Sequence, residues 1–170
     1  MRGSGAGSCW RRRCFAPRED CSVRIRVING PNLNMLGQRE SQIYGSETLG
    51  EVEEQLRAVA AELGVDVDFV QSNSEGALID AIQACRGSHD ALIINPGGYT
   101  HTSVAIHDAL RAAEVPAIEV HVSNIHAREG FRSESITGAA CVGIVSGLGT
   151  YGYGLALQAA AKLARSRSQG

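Results

Sequence analysis

The stretch Ala91-Leu92-Ile93-Ile94-Asn95 decides the fold, because it is apolar at four consecutive positions and polar at its end. A strand with one face in water alternates apolar and polar residues, whereas an unbroken apolar run is typical of a strand buried on both faces. Strands of that kind belong to parallel sheets with helices on both sides. Pro96, Gly97 and Gly98 follow directly and mark the end of the strand. We therefore predict an α/β protein with a parallel sheet.

Strands and helices alternate along the rest of the chain. Four further apolar runs predict strands: Val23–Ile28, Val65–Gln71, Pro116–His121 and Cys141–Val145. Helical spacing of apolar residues covers Ser46–Leu63, Ala77–Cys85, Ser103–Ala113 and Tyr151–Ala164. Thr48 and Glu51 form a capping box at the first helix, and Gly64 and Gly87 end the first and second. This alternation predicts a flavodoxin-like three-layer sandwich with a five-stranded parallel sheet in the order 2-1-3-4-5.

A chain of 170 residues is long enough for one domain with its own core. We predict a disordered basic extension at 1–22, because Gly and Ser dominate there and five arginines face two acids. The folded domain is expected at 23–164, followed by a C-terminal tail at 165–170.

Composition and charge exclude several partners. No apolar run approaches the ~18 residues of a membrane span, and a net charge of −2 gives no reason to expect nucleic acid or a membrane surface as partner. Five cysteines at irregular spacing are not a disulfide framework. Cys85 and Cys141 lie in apolar patterns and indicate buried thiols, and hence a reducing compartment, the cytoplasm. Lys162 is the only lysine, so Schiff-base chemistry would have to use it.

The loops that follow the strands are dense in amides, hydroxyls and imidazoles. The carboxyl ends of parallel strands meet at one edge of a sheet, where open α/β folds place their ligands. The side chains that we expect to gather there are Asn32, Tyr44, Asn95, His101, His121, Ser123, Arg128 and Arg132. Such a rim favours a small polar ligand with several oxygens.

Several of these residues also have simpler uses. Asn29 and Asn95 serve equally well as loop caps, and Gly30, Gly97 and Gly98 could supply only unusual dihedral angles. Glu119 lies within a buried strand and needs a partner there.

Three other types of site would use residues of these loops. Zinc would compete for His101 and His121, but no Cys or carboxylate sits at ligand spacing beside them, so no metal is expected. Gly147 opens a G-x-G-x-x-G match, yet it follows the last strand and leaves no room for an acidic ribose ligand. A phosphate- or nucleotide-binding module that uses Gly97, Gly98 and helix N-termini remains an alternative.

Six motifs occur in series: Ile28-Asn29-Gly30-Pro31-Asn32-Leu33, Arg39-Glu40 with Tyr44-Gly45, Gln71-Ser72-Asn73, the run Asn95–Ser103, the run Glu119–Glu129, and Gly147-Leu148-Gly149. Together they resemble the type II 3-dehydroquinate dehydratases over about Val23 to Leu163. The resemblance implies loss of water from 3-dehydroquinate to give 3-dehydroshikimate, in the shikimate pathway. It also implies a homododecamer of four trimers and no metal or organic cofactor.

The same resemblance implies the catalytic residues. Tyr44 would be the base that removes a proton α to the ketone. A tyrosine ordinarily has a pKa near 10, so a base at neutral pH needs a cation, and Arg39 stands five residues earlier. Asn32 would hold the enolate, His121 would protonate the departing hydroxyl, and Glu119 would orient His121.

Other residues would bind substrate or support the site. Asn95, His101, Arg132 and the backbone amides of Val122 and Ser123 would hold the substrate's hydroxyls and carboxylate. Arg128 would support the closed lid, which is the loop that carries Arg39 and Tyr44, and Asp108 would reach the site of a neighbouring subunit.

The chain departs from the family's pattern at a few positions. Ser41 stands where the family usually has proline, which should make the lid less stiff, and His107 stands where arginine is common. A relative that keeps only the scaffold would have lost Tyr44, Arg39 or His121, and all three are present.

Overall fold

The computed structural model describes residues 22–38, 47–127, 129–130 and 133–168, and within them it contains a five-stranded sheet. The strands are β1 (Val23–Asn29), β2 (Val65–Gln71), β3 (Ala91–Asn95), β4 (Ala117–His121) and β5 (Gly143–Ser146). Every pairing is parallel, and the order is β2-β1-β3-β4-β5. The predicted sheet and its order are therefore confirmed.

Helices cover both faces of this sheet. They are α1 (Leu49–Leu63), α2 (Glu75–Gln83), α3 (Val104–Ala113) and α4 (Tyr151–Ser168). Short 3₁₀ turns at Leu33–Met35, Gly97–His101, Ile125–Ala127 and Thr137–Ala140 follow strands or lead into them. No helix in the described part of the chain is long and apolar enough to cross a membrane.

The central strand β3 feeds two separate cores. Ile93 faces the core under α1 and α4, and Ile94 faces the core under α2 and α3. Neither side chain is accessible to solvent. Full burial of such a side chain stabilises the fold by about 1.5–3 kcal/mol. The unbroken apolar run therefore has the physical cause that the sequence indicated, burial on both faces.

The ends of α1 form as predicted. The Thr48 hydroxyl accepts a hydrogen bond from the Glu51 amide, and the Glu51 carboxylate accepts one from the Thr48 amide at 2.7 Å. Gly64 ends the helix in the left-handed conformation, at φ 62°. The structure starts the helix at Leu49, because Thr48 is its extended N-cap; Ser46 lies outside the described residues.

Several boundaries differ from the sequence prediction. Helix α2 covers Glu75–Gln83 with Ala84 as its C-cap, so it begins and ends earlier than predicted, and Gly87 does not end it. Helix α4 continues to Ser168, past the expected end at Ala164, and the guanidinium of Arg165 donates to the Leu63 carbonyl. Cations in a last helical turn are favoured by the helix dipole. Strand β5 begins at Gly143 instead of Cys141, because the Cys141 amide closes a turn onto the Gly138 carbonyl at 3.0 Å.

Candidate active site

The loops after β1 and β3 pack against each other at the carboxyl edge of the sheet. The Gly30 amide donates to the Asn95 carbonyl at 2.8 Å. A Cβ on Gly30 would lie 2.5 Å from the Pro96 carbonyl oxygen, and one on Gly97 would lie 3.0 Å from that of Pro31. Gly97 also has a φ of +59°, whereas Gly30 does not need a positive φ. Close approach of the two loops, rather than an unusual dihedral, explains the glycine at position 30.

Two buried amides at these strand ends share one phenol. The Tyr153 hydroxyl donates to Asn29 Oδ1 at 2.7 Å and accepts from Asn95 Nδ2 at 2.8 Å. Asn95 Oδ1 accepts from the Gly97 amide at 3.2 Å. Burial raises the pKa of Tyr153, so its hydroxyl keeps its proton. The Asn95 side chain is thus held in one orientation by α4 and by its own loop.

Asn32 stands at the exposed rim and is held through its backbone. It has a φ of +67°, which asparagine tolerates better than most residues. Its amide donates to Asn73 Oδ1 at 2.9 Å, and Gln71 Nε2 donates to the same oxygen at 3.2 Å. The loops after β1 and β2 are therefore joined, and the Asn32 side chain is not used by this contact.

Glu119 and His121 form the buried ionisable pair of the site. Glu119 is fully buried, His121 is 6% exposed, and Oε1 lies 2.6 Å from Nε2. An ionised carboxylate only accepts hydrogen bonds, so Nε2 carries a proton and Nδ1 lies on the opposite side of the ring. Burial alone would raise the pKa of Glu119, but hydrogen bonds from His121, Ser135 and Thr137 outweigh it and hold that pKa below its ordinary value.

Three hydroxyls that the sequence analysis did not single out surround Glu119. Thr100 and Ser135 donate to Oε1 at 2.7 and 2.6 Å, and Thr137 donates to Oε2 at 2.5 Å. The only signal in the sequence was Glu119 itself, because a carboxylate inside an apolar strand demands partners. Their positions in the chain gave no means of choosing them.

The other predicted site residues that the structure describes lie after β3, after β4 and on α3. His101 Nδ1 lies 2.6 Å from the Glu134 carbonyl, which only accepts, so Nδ1 carries the proton there. No described residue accepts a hydrogen bond from the backbone amides of Val122 or Ser123. Asp108 lies on the exposed side of α3, 72% exposed, with Oδ1 3.1 Å from His107 Nδ1. No hydrogen bond in the described part of this chain joins Asp108 to another predicted site residue.

Four predicted site residues lie outside the described part of the chain: Arg39, Tyr44, Arg128 and Arg132. Ser41 lies outside it as well. Their roles therefore stay predictions. Among the residues that the structure does describe, no group of three or more His, Cys, Asp or Glu side chains could hold a metal ion.

The chain matches the family model for dehydroquinase class II over residues 23–161. It is 54% identical over 137 residues to a protein from Jannaschia sp. named 3-dehydroquinate dehydratase, covering 81% of this chain and 93% of that protein. It is 58% identical over 134 residues to an Emericella nidulans protein named catabolic 3-dehydroquinase, covering 79% of this chain and 88% of the other.

Solved structures agree. The type II dehydroquinase from Butyrivibrio crossotus superposes with a TM-score of 0.80 at 43% identity, over 82% of this chain and 97% of that one. The type II dehydroquinase from Propionibacterium acnes gives the same TM-score and identity, over 83% and 97%. On sequence and fold together, the chain belongs to the class II dehydroquinases, the type II 3-dehydroquinate dehydratases, and is a hydro-lyase.

Proposed function

We propose that this chain removes water from 3-dehydroquinate through an enolate intermediate and releases 3-dehydroshikimate, as a step of aromatic biosynthesis in the cytoplasm. The observation that carries the mechanism is the buried Glu119–His121 pair at the strand-end rim, with Nε2 facing Glu119 at 2.6 Å. This pairing leaves Nδ1 as the nitrogen that can face a substrate. Family membership supports the substrate, and the pair supports a proton transfer at this position.

Elimination of water next to a ketone needs a base, an acid and a group that holds the enolate. Tyr44 is the proposed base, with Arg39 as the cation that favours its phenolate. A tyrosine made basic at neutral pH must lose about three pKa units, which corresponds to roughly 4 kcal/mol in favour of the charged form. A cation on the same loop can supply much of that when water is excluded.

The proposed acid is His121. In the protonated imidazole both nitrogens carry hydrogens, and the Glu119 carboxylate stabilises the positive charge from the Nε2 side. Nδ1 then delivers its proton to the departing hydroxyl, and water leaves. Asn32, which is exposed in the loop after β1, would bind the enolate oxygen while the negative charge is there.

Substrate binding is proposed for the rest of the rim. The backbone amides of Val122 and Ser123 are donors at the end of β4, and Asn95 stands at the end of β3. His101 would contribute Nε2, because Nδ1 is engaged by the Glu134 carbonyl. Arg132 would pair with the substrate's carboxylate, and Arg128 would support the closed lid.

We also propose that the chain assembles into a homododecamer of four trimers. The Asp108 side chain is 72% exposed, as that of a residue that serves a neighbouring subunit would be in a single chain. Val142, just before the edge strand β5, is 62% exposed, and Ile144, on that strand, is 43% exposed. Apolar side chains on an edge strand support coverage by another chain.

The phosphate-binding alternative has less support in the geometry. It would need the amides of the Gly97–His101 turn to face a ligand. The Gly97 amide already donates to Asn95 Oδ1, and the Tyr99 amide donates to the Pro96 carbonyl at 3.3 Å. We therefore propose only the dehydratase.

The direct test follows absorbance of the conjugated enone after 3-dehydroquinate is added to the purified chain. We expect the absorbance to rise, with no change when borohydride or a metal chelator is present. Inactivation by borohydride would indicate a Schiff base at Lys162 and overturn the enolate mechanism. No rise under any condition would overturn the proposed reaction.

A further inference from the structure

The buried carboxylate of Glu119 is surrounded by hydroxyls rather than by cations, as far as the described residues extend. Its two oxygens together accept four hydrogen bonds, from Thr100, Ser135, Thr137 and His121. Oε1 takes three of these contacts and Oε2 takes one, from Thr137. Neutral donors solvate the charge without adding an opposite charge, which leaves His121 as the positive partner available to it.

We propose that Thr100, Ser135 and Thr137 form a hydroxyl cradle that keeps Glu119 ionised beneath His121 and thereby fixes which ring nitrogen faces the substrate. The three are positioning residues, since they act through Glu119 and His121. The inference rests on the proposed function for its kinetic part, while its claim about the imidazole stands on the contacts alone.

The hydrogens available around Glu119 favour its ionised form. Each hydroxyl has one hydrogen and lies within hydrogen-bond distance of a Glu119 oxygen. Thr100 Oγ1 also lies 2.8 Å from Ser135 Oγ and 3.1 Å from Thr137 Oγ1, so the three hydroxyls form one network around the carboxylate. Ser135 Oγ accepts in return from the Gly138 amide at 2.7 Å, so that hydroxyl is oriented with its hydrogen toward the carboxylate. If Glu119 were protonated, it would become a donor among donors, and one hydroxyl would have to turn away. The cradle therefore discriminates against the neutral acid.

The cradle also joins the two segments that carry substrate-binding residues. Thr100 lies in the Gly97–His101 turn, and its carbonyl accepts from the Ile136 amide at 2.8 Å. The segment that carries Ser135 and Thr137 accepts the His101 ring at the Glu134 carbonyl. Removing one hydroxyl should therefore change the charge of Glu119 beneath His121, while the hydrogen bonds to the Thr100 and Glu134 carbonyls still hold the two segments together.

Other ionisable groups near Glu119 do not explain its charge. Within the described residues these are His121 on the same strand and the thiol of Cys141. Burial, with the charge of Glu119 as a second cause, raises the pKa of Cys141 to about 12, so that thiol stays neutral. Among the uncharged groups around Glu119, the three hydroxyls are thus the main donors that stabilise its ionised carboxylate.

The test compares Thr137→Val, which removes one hydroxyl at nearly constant volume, with Thr137→Ser, which keeps it. We expect kcat of Thr137→Val to fall by about ten-fold or more, the value of one hydrogen bond to a charged group, with KM within about two-fold. The acid limb of its kcat–pH profile should move up by about one pH unit, because Glu119 loses a donor and protonates more readily. Thr137→Ser should restore both.

A second pair tests the same cradle from a less buried position. Ser135→Ala should shift kcat and the acid limb in the same direction as Thr137→Val. Ser133→Ala removes a hydroxyl from the same segment that donates to the Gly130 carbonyl instead, and should leave both unchanged. An unshifted profile in folded Thr137→Val and Ser135→Ala, or a shift that Thr137→Ser does not reverse, would overturn the inference.

A spectroscopic measurement separates this inference from the proposed reaction. In ¹⁵N-histidine-labelled wild type, neutral His121 should show the Nε2–H tautomer, assigned by comparison with His121→Gln. The Nδ1–H tautomer would overturn the cradle whether or not the chain dehydrates 3-dehydroquinate. An inactive wild type with the Nε2–H tautomer would overturn only the proposed function.

Discussion

Glu119 lies directly beneath His121, with Oε1 2.6 Å from Nε2 and no solvent contact of its own. Replacing the carboxylate with an amide tests what this contact does. In Glu119→Gln the shape is kept, but the negative charge that stabilises protonated His121 is gone. Because general acid catalysis contributes 10²–10⁴-fold, we expect kcat to fall by roughly 10²-fold.

The enone absorbance assay measures this effect. Glu114→Gln, at the far end of α3, is the matched control, since Glu114 pairs with Arg86 on the surface. Its kcat should equal that of wild type. A Glu119→Gln enzyme with wild-type kcat would show that His121 does not depend on the carboxylate.

Tyr44→Phe tests the assigned base. Phenylalanine keeps the ring and removes the only atom that could take the α proton, so turnover should become undetectable while circular dichroism and thermal unfolding match wild type. Tyr151→Phe is the control, because Tyr151 is 70% exposed and outside the proposed site. Near-normal turnover in folded Tyr44→Phe would mean that another group is the base.

Most of the sheet could be predicted from the chain because its causes are local. An unbroken apolar strand, a capping box and a helix-ending glycine act within a few residues of themselves. The predicted strand order is the common one for a flavodoxin-like sandwich. The start of β5 could not be found that way. The Cys141 amide is used by a turn onto Gly138, and nothing in the apolar pattern of 141–145 reports that hydrogen bond.

The site was predictable where a residue type is unusual for its position. Glu119 in a buried strand demanded a partner, and His121 two residues later was a natural one. Tyr153 was not predictable, because its hydroxyl reaches Asn29 across 124 positions of the chain. Thr137, 18 positions from Glu119, shares that difficulty: one chain without its fold gives no reason to choose it among the other hydroxyls.

Tyr153→Phe should destabilise the fold. Without the hydroxyl, Asn29 Oδ1 and Asn95 Nδ2 lose a partner inside a buried region, and each buried unsatisfied group costs about 1–3 kcal/mol. We expect a loss of about 2–4 kcal/mol in the free energy of unfolding, measured by urea denaturation. Tyr151→Phe should change it by less than about 0.5 kcal/mol. Equal midpoints for the two variants would contradict the shared-phenol arrangement.

Gly30→Ala tests the close approach of the two strand-end loops. The added methyl would lie 2.5 Å from the Pro96 carbonyl oxygen, so one loop must move, at a cost of about 1–3 kcal/mol. KM should rise as well, since Asn32 and Asn95 flank this contact. Gly50→Ala is the matched control: nothing lies within 4 Å of its added methyl, and alanine is the better helix residue. It should leave KM unchanged and stability equal or higher.

The ionisation of Glu119 should make its contribution to stability depend on pH in a defined direction. Its pKa in the folded chain lies below the ordinary value of 4.5. A group with a depressed pKa stabilises the fold above its unfolded pKa, and that stability is lost as the pH falls through the folded pKa. Wild type should therefore exceed Glu119→Gln in unfolding free energy at pH 7, and the difference should narrow below about pH 4.

Asp68, whose pKa is also depressed, titrates in both proteins and cancels in the comparison. Urea midpoints at several pH values measure the difference, and a gap that stays constant down to pH 3 would show that Glu119 gains no stability from being ionised.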